Sequence, residues 1–173
     1  RQAMEHQAQL ALRPGPVRVD VIVDPPWSDG QINSVQVVTG DRPFLVDTVV
    51  SCLLRHGWRV EDVRHPIIGV KRDRGTIEAV GTPGRGGCAS ESWIHIDATA
   101  PLGTDIGQAA EQLRDDLCAC LDQVVYATDD WGAMHEAMLR TAELVSASSG
   151  PADDRDSSRE LLEWLADDHF MYL

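Results

Sequence analysis

The order strand, helix, strands, helix along this chain predicts an α+β fold of the ferredoxin-like plan, an antiparallel sheet with both helices packed on one face. Three observations carry that prediction. Val17, Val19, Val21 and Val23 alternate with other residues at the period of a strand. Val46, Val49, Val50, Leu53 and Leu54, and later Ile106, Ala110, Leu113, Leu117, Leu121 and Val124, recur at the three- and four-residue steps of a helix with one buried face. The chain has 173 residues, 43% of them hydrophobic, enough for one core of about 100–150 residues plus peripheral elements.

Taken in order, Met4, Ala8 and Leu12 define a short leading helix that Arg13-Pro14-Gly15-Pro16 terminates. The first strand runs to Pro25-Pro26, and a turn at 27–30 leads to a second strand over 33–39. Pro43 suits the first position of the next helix, where its missing N–H costs nothing, and Asp41 is placed to cap it. Gly57 closes that helix. Val60 to Val70 reads as extended, Arg72-Asp73-Arg74-Gly75 as a hairpin turn before Thr76–Val80, and Gly81–Gly87 as a mobile loop. In the strand over 92–97, Ile94 and Ile96 share one face while Trp93, His95 and Asp97 share the other.

Thr104 is expected to cap the second core helix, with residues 124–127 readable as its end or as a short strand. Thr128 is expected to cap a further helix whose buried face is Trp131, Met134, Met138, Ala142 and Val145. Residues 146–158, rich in Ser, Asp, Pro and Gly, read as a linker. Ser157 and Glu160 then have capping-box spacing ahead of Leu161, Leu162, Trp164 and Leu165, and Phe170 to Leu173 reads as the start of a strand.

Charge limits the partners. With 28 acidic against 15 basic side chains and a formal net charge of −13, the surface repels nucleic-acid phosphates and anionic lipid, so neither nucleic acid nor membrane is expected as a partner. Four cysteines without a disulfide spacing point to a reducing cytoplasm. The chain lacks an initiator Met and stops within an apolar run, so a piece excised from a longer polypeptide is expected.

Chemistry is sparse. Cys118 and Cys120 point about 200° apart on a helix and cannot share an ion, and the six histidines show no metal spacing. His65 and His95, or His95 with Asp97, are conceivable as a site on the sheet against the plainer reading of packed strand residues. No nucleophile motif is evident, so catalytic, cofactor and metal residues are all expected to be absent.

The informative segment is Gly40-Asp41-Arg42-Pro43-Phe44-Leu45-Val46-Asp47, a strand-to-helix junction whose free amides can hold a carboxylate. It resembles the junction of ACT domains, ferredoxin-like amino-acid sensors with an Asp-Arg-Pro-Gly-Leu pattern, except that Phe44 stands at the Gly. That bulk opposes close approach of a ligand to the backbone. Read with His65-Pro66, Glu91-Ser92-Trp93-Ile94-His95-Ile96, Asp130-Trp131 and Leu161-Leu162-Glu163-Trp164-Leu165-Ala166-Asp167-Asp168-His169-Phe170 in the same order, it resembles the N-terminal region of the large bacterial NAD-specific glutamate dehydrogenases.

That resemblance implies a non-catalytic regulatory or oligomerisation module whose NAD and catalytic residues belong to distant domains of the parent chain. It leaves open a stand-alone amino-acid sensor or a purely structural interaction domain. The candidate effector-binding residues are Gly40, Asp41, Arg42, Pro43 and Phe44, and the candidate interface residues are Trp93 and His95. The expected partners are other copies of the chain, its downstream domains and an amino-acid effector. The expected layout is a leading helix over 1–16, an ACT-like domain over 17–128, an additional helix over 129–146, a linker over 147–158 and the start of another module over 159–173.

Overall fold

A computed structural model describes residues 1–28 and 30–169. The chain divides into two compact units, Arg1–Val124 and a second from Val125 on. In the first, α1 (Gln2–Ala11) precedes β1 (Val17–Ile22), β2 (Ile32–Gly40), α2 (Leu45–Arg55), β3 (Arg59–Arg64), β4 (Ile67–Asp73), β5 (Thr76–Gly81), β6 (Ala89–Thr99) and α3 (Ile106–Thr128). All strand pairs are antiparallel, in the order β1-β2-β6-β4-β5, with β3 also on β6. One edge of β6 pairs with β2 from Thr99 to Glu91. Its other edge is shared by β3, opposite Thr99 to His95, and β4, opposite Ser92 to Ala89. The expected extended run over 60–70 is thus two strands, broken at His65-Pro66 where proline has no amide to donate. Even there Pro66 accepts from the Trp93 amide at 3.0 Å.

The principal core lies between the sheet and two helices. Val35, Val37, Ile94, Ile96 and Ala98 from the sheet meet Leu45, Val49, Cys52 and Leu53 of α2 and Leu113, Leu117 and Leu121 of α3. This is the predicted α+β arrangement. Trp58 completes the core, and the chain reaches it through a Schellman closure. Gly57 takes φ 73°, its amide donates to Leu54, and the Trp58 amide donates to Leu53, both at 3.0 Å.

Several local expectations are corrected. In α1 the buried side chains are Gln7, Leu10 and Ala11, whereas Met4 and Leu12 are exposed; the apolar count misplaced the face because a glutamine supplies part of the contact. Leu54 likewise points outward from α2. That helix begins at Leu45, not Pro43, because Pro43 and Phe44 form a turn in which Phe44 is left-handed, φ 70° and ψ 1°. Asp105, not Thr104, caps α3, its carboxylate accepting from the Gln108 amide at 3.1 Å, while the Thr104 hydroxyl donates to Pro101. Residues 124–127 continue α3 as helix.

In the second unit, α4 (Trp131–Ala147) and α5 (Ala152–Trp164) pack together, and α5 runs on into one wide turn, Leu165–His169. The expected α4 face is the less exposed one, although only Ala142 is buried. Asp129 and Asp130 precede α4 rather than forming its first turn, and Thr128 ends α3. The expected 147–158 linker shrinks to residues 148–151, since Pro151, extended at ψ 136°, directly precedes α5 and Ser157 lies within that helix rather than capping it. The His135 ring nitrogen Nε2 bonds the Ala166 carbonyl at 3.0 Å, and its ring stacks on Trp131 at 5.4 Å. The expected strand at Phe170 to Leu173 lies outside the described residues.

Leu53 and Leu117 are both fully buried. Leu53→Ala and Leu117→Ala are each expected to cost about 2–5 kcal/mol, read from the denaturant midpoint at unchanged slope.

Candidate functional site

At the α2 junction, Asp41 is the residue that ties the chain to the sheet. The Asp41 amide donates to Ser90 at 2.9 Å, and the Asp41 carboxylate accepts from the Ser92 hydroxyl. Ser92 also meets His65 Nε2 at 2.9 Å. The carboxylate expected to cap α2 therefore ties the junction to β6 instead. The Arg42 side chain lies back over Gly40, whose hypothetical Cβ would be 3.6 Å from Arg42 Nη2. Pro43 is exposed, and Phe44, in the backbone region that glycine occupies freely, offers its carbonyl to the Thr48 amide at 2.9 Å. A left-handed residue at the third place of a tight turn is what a type II turn requires, and Pro is common at its second place. The string Asp41-Arg42-Pro43-Phe44-Leu45 thus places Phe44 at the left-handed position of the turn.

Across the sheet, the face bearing Trp93 and His95 is covered by α1 of the same chain. Gln7 Nε2 donates to the Ile94 carbonyl at 2.9 Å, and Leu10 and Ala11 pack with Val38, Ile77 and Trp93. His95 is 5% exposed and Trp93 is half-buried. The element that covers this face is thus the leading helix of the same chain, which makes the sheet the middle of three layers.

His95 sits in a polar network that sequence reading did not assemble. Gln36 Nε2 donates to the Ala3 carbonyl at 3.1 Å and lies 3.2 Å from His95 Nδ1. A backbone carbonyl accepts only, so it fixes the amide's orientation and makes Nδ1 an acceptor. The ring proton is then on Nε2, which faces the Asp97 carboxylate at 3.0 Å and the Ser34 hydroxyl at 3.3 Å. Gln36 Oε1 accepts from His6 Nδ1 at 2.9 Å, and Arg64 pairs with both Asp62 and Asp97. Burial pushes the His95 imidazole below its ordinary pKa, with the Asp97 bond opposing the shift.

Beside this network, α1 and the sheet enclose a cavity of about 210 Å³ lined by Ala3, Met4, Gln7, Arg64, Pro66, Ile68, Trp93 and His95. A more polar cleft of about 360 Å³, reaching Trp27, Ser28 and Asp97, shares Ala3, Arg64 and His95 with it. Neither takes a residue from Gly40 to Phe44. The part-buried Arg72–Glu91 pair, at 2.5 and 3.0 Å, lies on the same face, with Trp93 Nε1 donating to Glu91 at 3.2 Å. Arg18 is buried close to both charges, and that burial followed by Arg72 lowers its pKa while Glu91 opposes. Among the described residues no helix is long and apolar enough to cross a membrane, and no group of three or more His, Cys, Asp or Glu is placed to hold a metal ion.

Residues 3–117 match the family described as glutamate dehydrogenase, ACT1 domain. The chain is similar to the NAD-specific glutamate dehydrogenase of Halomonas elongata, 29% identical over 146 residues, which are 80% of this chain and 9% of that protein. It is also similar to the NAD-specific glutamate dehydrogenase of Pseudomonas aeruginosa, 26% identical over 147 residues, 81% of this chain and 9% of that protein.

Two outcomes follow from the geometry. Phe44→Ala and Phe44→Gly both remove the ring, but only glycine relieves the left-handed backbone, so Phe44→Gly is expected to be roughly 1 kcal/mol the more stable in thermal melts. For His95, a folded pKa below the unfolded value means that its contribution to stability is complete above about pH 6.5 and is lost as pH falls through the lowered folded pKa. Melts from about pH 7.5 to about pH 5.5 should therefore show a smaller loss of Tm in His95→Gln than in the wild type.

Proposed function

The chain belongs to the glutamate dehydrogenase ACT1 domain family, and from that premise we propose that it is a non-catalytic module of an NAD-dependent glutamate dehydrogenase that organises subunits and domains. It spans about 9% of the length of the curated relatives it matches. The parent reaction is conversion of L-glutamate, NAD and water to 2-oxoglutarate, ammonium and NADH in the cytoplasm, with NAD held elsewhere in the parent chain.

The observation that carries the architectural side is the inward bracing of the junction. Asp41 spends both its amide and its carboxylate on β6, and the left-handed position is filled by a phenyl group rather than left open. The unit also presents apolar side chains outward. Val63 and Ile67 register with Ile96 and Ser92, on the face that α2 and α3 cover elsewhere, yet they are 38% and 46% exposed. Such side chains suit contact with another copy or with downstream domains of the same polypeptide.

A second reading, effector binding, is favoured by one specific observation. The cavity beneath α1 joins an apolar wall of Met4, Ile68, Pro66 and Trp93 to polar groups on Arg64 and His95, the combination that small-molecule sites use. An amino-acid effector would then sit on the outer face of the sheet and not at Gly40 to Phe44.

Sedimentation and thermal shift separate these readings. The architectural reading expects the mass to rise with concentration in the wild type, to fall toward monomer in Val63→Asp, and no amino acid to raise Tm. The effector reading expects stabilisation of about 2.7 kcal/mol at 100 times the dissociation constant of the amino acid that binds. Glutamate-dependent NAD reduction by the purified chain alone would overturn both.

A further inference from the structure

The cavity beneath α1 has a polar end and an apolar one. Gln7 lines it from the inner face of α1 and is buried. Its Nε2 donates to the Ile94 carbonyl at 2.9 Å, and because a carbonyl only accepts, that bond fixes which way the amide points. Oε1 is left as an acceptor, and among the described residues nothing donates to it. Arg64 enters from β3. Its Nε and Nη2 donate to Asp62 and Asp97, while Nη1 has no acceptor among the described residues. The apolar wall is Pro66, Ile68 and Trp93, with Met4 at the exposed rim.

An open acceptor and an open cationic donor beside an apolar wall specify a ligand. Resting on the effector reading above, we propose that this cavity selects a small zwitterion, a carboxylate beside an ammonium, with a compact apolar side chain, and that it rejects glutamate. The carboxylate accepts from Arg64 Nη1, the ammonium donates to Gln7 Oε1, and the side chain lies against Ile68 and Trp93. Charge decides against the alternatives. Arg64 stands between two carboxylates, Asp62 and Asp97, so these three groups carry one negative charge in excess. A bare anion is repelled there, whereas a zwitterion adds no net charge. Glutamate would bring a second carboxylate, either beside Asp62 and Asp97 or against the apolar wall, where it has no partner. The volume, about 210 Å³, is below the roughly 300–1,000 Å³ of sites for drug-sized molecules, which limits the occupant to the size of a single amino acid.

The test is a thermal-shift titration of the chain with leucine, glutamate, 4-methylpentanoate and isoamylamine, the last two being leucine without its ammonium and without its carboxylate. Leucine is expected to raise Tm, and the other three at equal concentration are not. Arg64→Gln and Met4→Glu change partly exposed side chains, so their melts without ligand should match the wild type, and each should weaken leucine binding roughly tenfold or more. Stabilisation by glutamate that Arg64→Gln removes would overturn the selectivity and leave the effector reading standing. Leucine binding undiminished in both variants would overturn the location, and 4-methylpentanoate matching leucine would overturn the role of the ammonium. If no amino acid raises Tm, the effector reading and this inference fall together.

Discussion

The first unit depends on the pairing of β6 along both edges. Its partners on one side run from Ile32 to Gly40, and on the other the strand is divided between β3 and β4. Every layer takes its position from this strand. Ile94, Ile96 and Ala98 set the floor on which α2 and α3 pack, while Trp93 and the Ile94 carbonyl receive α1 on the other side. The Asp41 junction is fastened to it through Ser90 and Ser92. A central strand buried on both faces must satisfy its polar side chains within the fold, because an unpaired buried polar group costs about as much as a lost hydrogen bond. Glu91 with Arg72 and His95 with Gln36 and Asp97 meet that requirement.

What was legible in the sequence was what simple periodicity controls. The strand alternation at Val17–Val23, the faces of β6 and the leucine stripe of α3 all follow from one apolar side meeting one core. The ACT resemblance was legible too, since it rests on a local string, Asp41 to Leu45, joined to distant segments in fixed order. The faces of α1 were not legible, because its contact with the sheet is made partly by Gln7, and the ends of Met4 and Leu12 answer to no core. For the same reason β2 is buried from Asn33 to Thr39, although Ser34 and Gln36 alternate with valines in the pattern of a half-exposed strand. Their polarity marks a network with His95 and α1 rather than water. A glutamine and a serine at inward positions of a strand, opposite a histidine, were the available signal.

The helix ends show a second kind of illegibility. Pro43, Thr104, Thr128 and Ser157 each satisfied a starting rule, but the start is chosen by where neighbouring groups are already committed. Asp41 is engaged by β6, Asp105 lies one residue nearer the first turn of α3 than Thr104, and Pro151 opens α5 before Ser157 is reached. Capping preferences of about 1 kcal/mol are readily overridden by tertiary contacts of similar size.

Phe44 connects these themes. A phenylalanine in the left-handed region carries strain of about 1–2 kcal/mol relative to glycine, and it persists only where the surroundings fix the turn. They do so here: Pro43 presets the turn from one side, the first bond of α2 from Thr48 holds it from the other, and Asp41 anchors the preceding strand end. A junction that binds a ligand through its backbone keeps its amides exposed and its third turn residue small. A junction that transmits position between a strand and a helix benefits from fixed contacts and a bulky side chain. On the architectural reading proposed above, the junction of Gly40 to Phe44 has the second character and holds α2 in register with the sheet, and on the effector reading a small molecule would lie on the opposite face of β6, under α1.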